Sequence, residues 1–327
     1  MKAAQTWVLG CMVFALSLVF ALPTTSLASE PITTIGTGGI NGVYYSTGGA
    51  IAKMFNLKRQ EFGGWMANQA TKGSVENIKA VLSGEIDFGI AQGNFLFDAV
   101  NGEGFYADQE KRDLRAVLGL YIEDLTIVAA ADAEINTATD LKGKRVNIGL
   151  LGSSTALTAQ MVLQELGIAP EDLELFNYPN YEVSERLQSD DIDAYIFTVG
   201  HPNLLIMEAT NGQRKVQIVP FTQTLIDDVA ARKPYLFADK INLEYYDRLA
   251  DKGVVPTVGV KAMLFTRADM DEKIVYQVVK QVLNNLELFR QQHPALANLT
   301  RSDMSINNVV PFHPAAERYF RATGLVQ

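Results

Sequence analysis

The sequence predicts an α/β protein of two similar lobes, hinged by two crossing strands. Three observations point there: a strand, glycine loop and helix that occur twice, a Ser-x-x-Ile-Asp segment behind each copy, and two further apolar strands after the copies. With 327 residues, the chain is long for one hydrophobic core, so two lobes are the default.

The first copy is "TTIGTGGINGVYYSTGGAIA", residues 33–52, with six glycines in twenty positions. Residues 32–35 alternate as a short strand, 36–42 are loop, and 43–57 have helical spacing through Ala50, Ile51, Met54 and Phe55. The loop does not read as a nucleotide site. A dinucleotide fingerprint needs a third glycine where Asn41 stands, and a P-loop needs a Gly-Lys-Ser/Thr ending that is missing. What remains is a helix start, whose unpaired N–H groups suit a carboxylate as well as a phosphate.

The second copy is "KRVNIGLLGSSTALTAQMVLQELG", residues 144–167. Residues 146–150 read as strand, 149–154 as loop and 155–166 as helix, stopped by Gly167. Behind the copies come "LSGEIDFGIAQG" (82–93) and "QSDDIDAYIFTV" (188–199), each with an aspartate, Asp87 or Asp193, before an apolar strand. Matching placement favours a structural task for both aspartates over paired acid/base work. Strands at 125–130 and 260–266 are expected to cross between the lobes. The chain then returns to the first lobe for a helix over 272–292.

Open α/β sheets bind ligands beyond the carboxyl ends of their strands. Two facing lobes therefore bring together the segments 36–43, 92–95, 149–155 and 198–202. The side chains there suit recognition. Tyr44, rather than Tyr45, is expected to face the cleft, with Gln92 after its strand and Ser74 at another helix start. Ser153, Ser154 and Thr155 open the second-copy helix, and Thr198 and His201 end the strand that matches Gln92. Serines at helix starts are also ordinary caps, and His201 reads equally as a buried structural residue.

The N-terminus reads as a cleaved signal peptide, residues 1–28: Lys2, an apolar stretch from Trp7 to Leu22, and small residues ending at Ala28. Cleavage removes Lys2 and the single cysteine, Cys11, and takes the net charge from −9 to −10. Disulfides and thiol chemistry are thereby excluded, and an acidic chain without basic runs argues against nucleic acid. No second apolar run approaches the ~20 residues of a membrane span. His201, His293 and His313 form no recognisable catalytic or metal motif, and Asp190, Asp191 and Asp193 lack EF-hand spacing. No cofactor, metal or catalysis is expected.

Several long stretches, in order, resemble the TAXI class of extracytoplasmic solute receptors that serve TRAP transporters. They are "IGTGGINGVYYSTGGAIA", "TKGSVENIKAVLSGEIDFGIAQGN", "DLKGKRVNIGLLGSSTALTA", "IDAYIFTVGHP", "VPTVGVKAMLFTRAD" and "HPAAERYF". The resemblance implies a two-lobe periplasmic-binding-protein fold of type II, the venus flytrap. It implies capture of a small carboxylate, an organic diacid or a glutamate-like acid, and delivery to TRAP membrane permease subunits. Carried over by position, Gly39, Tyr44, Ser74 and Gln92 belong to the first-lobe site and Ser153 and Thr155 to the second. The expected organisation is lobe I over 29–128 and 258–327, lobe II over 129–257, in a periplasmic monomer. A receptor for an ATP-driven (ABC) importer is the alternative, followed by a receptor feeding a sensor and an exported enzyme. Two departures from the family pattern, Ala156 for an acidic residue and Lys72 before Gly73, favour an organic acid without an amino group.

Overall fold

The computed structural model describes residues 32–250 and 252–326, so the predicted signal peptide lies outside the described residues. Ten strands form one sheet: β1 Ile32–Gly36, β2 Trp65–Gln69, β3 Phe88–Gln92, β4 Leu114–Ala130, β5 Arg145–Asn147, β6 Glu174–Phe176, β7 Ala194–Val199, β8 Val216–Ile218, β9 Leu236–Asn242 and β10 Val254–Arg267. Their order is β2-β1-β3-β10-β4-β7-β5-β6, with β8 beside β4 and β9 beside β10.

The order divides into two copies of one plan. In the first half β2, β1 and β3 run parallel, and β10 closes them antiparallel. In the second, β6, β5 and β7 run parallel, and β4 closes them antiparallel. This is the two-lobe α/β fold of periplasmic binding proteins. β4 and β10 link the halves by pairing with each other, from Leu114 opposite Arg267 to Asp124 opposite Gly259.

Both linking strands are longer than the apolar runs at 125–130 and 260–266 suggested. β4 is buried along nearly its whole length, so residues from Leu114 onward belong to it as well. Such a strand has no polar face to mark its beginning. The first-copy helix, Val43–Asn56, and the second-copy helix, Ser154–Glu165, lie close to where spacing put them. The predicted helix over 272–292 is broken: Glu272–Asn284 ends at Asn285, and a short helix Leu286–Arg290 follows. Asn285 leaves helical geometry and its Nδ2 donates back to the Gln281 carbonyl at 2.8 Å. Helix Glu272–Asn284 packs on Val43–Asn56 and on the helix Pro314–Ala322 near the end of the chain.

The repeated aspartates do the same work. Asp87 Oδ2 accepts from the Thr34 N–H at 2.8 Å, tying β3 to β1, and Asp193 Oδ2 accepts from the Arg145 N–H at 2.9 Å, tying β7 to β5. Asp193 and Asp190 also pair with Arg145, at 2.6 and 2.5 Å, and Arg214 bonds Asp132 and Asp190. The acidic run around 190 is thus answered by two arginines.

Candidate ligand-binding site

The carboxyl ends of β3 and β7 open on a cavity of about 130 Å³. Its walls include Gly39, Tyr44, Ser74 and Gln92 from the first half and Ser154, Thr155 and Thr198 from the second. Seven of the nine residues singled out in the sequence therefore meet in one place. Glu123, Asn180, Phe197 and Lys72 join them.

Four helix starts converge here. Val43, Ser74 and Ser154 each open a helix, and Gln92 immediately precedes the helix Gly93–Asn101. The segment 92–95 is therefore helix start rather than loop. The turn before Ser74 needs glycine, since Gly73 sits at φ +98° and ψ −153°. A Cβ there would also lie 3.4 Å from the Ser154 hydroxyl across the cavity. Ser74 is not a cap, as its position after Gly73 suggested. Its hydroxyl accepts instead from the Gln92 N–H, at 3.1 Å, locking two cavity walls together.

Capping separates these helices from the rest. Among the described residues, eight helices have eight or more residues. Five carry a side-chain cap: Ser153, Asn203, Thr222, Asp271 and His313. The other three begin at Val43 and Ser74, which line the cavity, and at Gly93, beside the lining residue Gln92. None is capped by its N-cap residue, and only the Val75 N–H finds a side chain, Ser154 Oγ, from the other half. A helix start normally satisfies its N–H groups with a side chain, water or a ligand. Three uncapped starts around one cavity, each with the partial positive charge of a helix N-terminus, make a seat for an anion.

The two halves touch across this seat. Thr158 Oγ1 donates to Gln92 Oε1 at 2.8 Å, and the Val75 N–H reaches Ser154 Oγ at 3.4 Å. Within the second half, Asn180 Nδ2 lies 3.4 Å from Thr155 Oγ1. Thr198 Oγ1 is buried without a hydrogen-bond partner in the cavity wall.

Glu123 is the wall that sequence reasoning missed. It is 4% exposed, and its Oε2 accepts from the Tyr44 hydroxyl at 3.0 Å. Burial pushes its carboxyl up to about 8, although hydrogen bonds from Tyr44 and Gln92 pull it partly back. It stands inside the apolar segment "GLYIEDLTIV" of β4, where an acidic pair was the available signal. Its neighbour Asp124 points to the opposite face, where burial and then Asp239 push it up to about 8.

Two predicted residues do not line the cavity. Ser153 caps its helix, accepting from the Ala156 N–H at 3.2 Å. His201 packs behind the wall, its Nε2 2.8 Å from Thr126 Oγ1 and its Nδ1 bonded to the Tyr246 hydroxyl. Loss of solvation pushes its imidazole down to about 3, so it is a neutral structural group and not a cationic partner for a ligand. Ala156 likewise has no part in the cavity wall, being buried in its helix, whereas Glu123 supplies an acidic group from β4. The preference for a solute without an amino group is therefore withdrawn.

Residues 35–324 match the model of the NMT1-like family. The chain belongs to the NMT1-like family. Solved structures are similar to this NMT1-like chain at low identity. A protein of Bordetella bronchiseptica RB50 is 16% identical, with a TM-score of 0.50, the match covering 89% of each chain. The periplasmic aliphatic sulphonate binding protein SsuA of Escherichia coli is 16% identical, TM-score 0.48, covering 90% of this chain and 84% of that one. Among the described residues, no helix is long and apolar enough to cross a membrane, and no group of three or more His, Cys, Asp or Glu is placed to hold a metal ion.

Proposed function

We propose that the protein is an extracytoplasmic solute-binding receptor that closes its two halves around a small carboxylate and does no catalysis. The observation that carries this is the set of three uncapped helix starts around one cavity. Lys72 adds a positive charge at the wall, and Thr198 offers a buried hydroxyl with no other partner. Glu123 extends the choice of solute: neutral, it tolerates the anion beside it, and ionised, it pairs with an ammonium group. The site thus accepts an organic diacid or a glutamate-like acid. Micromolar affinity needs about −8 kcal/mol, within reach of several charge-assisted bonds in a site that excludes water.

Delivery would be to a membrane permease that recognises the closed form. The family matched is NMT1-like rather than the TAXI class, and we take an ATP-driven importer as the first reading. The TRAP partner is the second, on the strength of the sequence motifs such as "IGTGGINGVYYSTGGAIA". Residues 29–128 with 258–327 and residues 129–257 would be the moving lobes, exported by removal of residues 1–28.

The test is native mass spectrometry of residues 29–327 as purified, then thermal-shift screening against small mono- and dicarboxylates. A solute at a hundred times its Kd stabilises the folded state by roughly 2.7 kcal/mol, a clear rise in Tm. Absence of a rise with every acid would overturn the proposal.

A further inference from the structure

A second cleft is larger than the cavity just described. It encloses about 470 Å³ between helix Gly93–Asn101, helix Ser154–Glu165 and the segment 232–235. Phe97, Phe105 and Tyr235 form an aromatic wall, with the Phe97 and Tyr235 rings 5.3 Å apart. Two carboxylates, Asp98 and Glu103, share the cleft with them. Two basic residues line it too, but Glu165 already engages both: Arg232 at 2.8 Å and Lys233 at 3.7 Å. Among the described residues, the Asp98 carboxylate accepts no hydrogen bond and has no ion-pair contact, although Lys233 attracts it from farther off. A second, independent feature lies beside it. Asn94 is 3% exposed and lines the cleft, and its Oδ1 is buried without a hydrogen-bond partner.

We infer that this cleft is a second binding site, for an alkylammonium or diammonium ion, separate from the solute cavity. Carboxylates supply the charge, the Asn94 carbonyl accepts an N–H, and the aromatic faces attract a cation passing over them. An anion would meet two carboxylates, and Glu165 offsets one of the two nearby positive charges. Burial, and then Glu103, hold the Asp98 carboxyl up at about 6, which is the cost that an incoming cation relieves. Gly104 makes the arrangement possible: a Cβ there would collide with the Asp98 carboxylate.

The experiment is calorimetric titration of residues 29–327 with putrescine (1,4-diaminobutane), with 1,4-butanediol as the neutral analogue. Putrescine should bind and butanediol should not. Asp98→Asn should weaken putrescine at least tenfold while leaving carboxylate-induced stabilisation intact. Phe105→Ala, at a half-exposed position that folding tolerates, should weaken it about threefold to fivefold. Glu123→Gln should leave putrescine binding unchanged. Equal binding of butanediol, no loss in Asp98→Asn and Phe105→Ala, or loss in Glu123→Gln alone would each overturn the second site.

Discussion

The two halves of the molecule are built alike and finished differently. Each has three parallel strands, an aspartate that ties the outgoing strand to the first, and a long antiparallel strand closing the set. Around the cavity they diverge. The second half seals its helix start with Ser153, whereas the first leaves the starts at Val43, Ser74 and Gly93 uncapped. The repeat therefore accounts for the fold, and the departures from it mark the site. A helix start that forgoes a cap worth about 1 kcal/mol is conspicuous when five other long helices have one.

The strongest way to break this contrast is to give the first half the kind of cap that the second has. Gly42 has extended geometry at the N-cap of Val43–Asn56, as caps require. Gly42→Asp places a carboxylate where the solute's oxyanion is expected, and should lower carboxylate affinity at least a hundredfold with the fold retained. Calorimetric titration beside circular dichroism reads both.

Asp87 and Asp193 sharpen the comparison by offering the same substitution twice. Asp193→Ala loses both a strand tie and the Arg145 pair, and should cost about 3 kcal/mol. Asp87→Ala loses a strand tie, its two bonds from Thr34, with no ion pair and should cost about 2 kcal/mol. Urea denaturation of the two variants decides it; equal costs would count against the Arg145 pair.

Glu123 gives a pH signature. Its folded value, about 8, lies above the ordinary 4.5, so the native state holds more protons between those values. Stability of the unliganded protein should then fall as pH rises from about 4.5 to 8, with Asp124 acting in the same direction. Glu123→Gln should recover on the order of 2 kcal/mol at pH 8 and nothing near pH 4.5, read as Tm against pH. The smallest effect belongs to Ser153→Ala: about 1 kcal/mol of stability, with carboxylate affinity changed less than threefold.

Much of this was legible in the sequence, for identifiable reasons. Glycine loops, helical spacing and the repeated Ser-x-x-Ile-Asp expose local geometry, so the copies and seven cavity residues could be placed. Glu123 was hidden because β4 is buried along most of its length, and its polarity reads as an interruption rather than as one face of a strand. His201 misled because a histidine beside a predicted cleft says nothing of Thr126 or Tyr246, which reach it from other strands and loops. Ser153 and Ser154 are adjacent serines with different tasks, and the helix register alone assigns the first to the cap and the second to the cavity.

The central claim is that uncapped helix starts in the first half seat a solute's anionic group. The most direct measurement is calorimetric titration of wild-type and Gly42→Asp protein, residues 29–327, with the carboxylate that most raises Tm. The expected result is one site per chain of roughly micromolar Kd in the wild type, weakened at least a hundredfold in the variant. Unchanged affinity in a folded Gly42→Asp protein would contradict it.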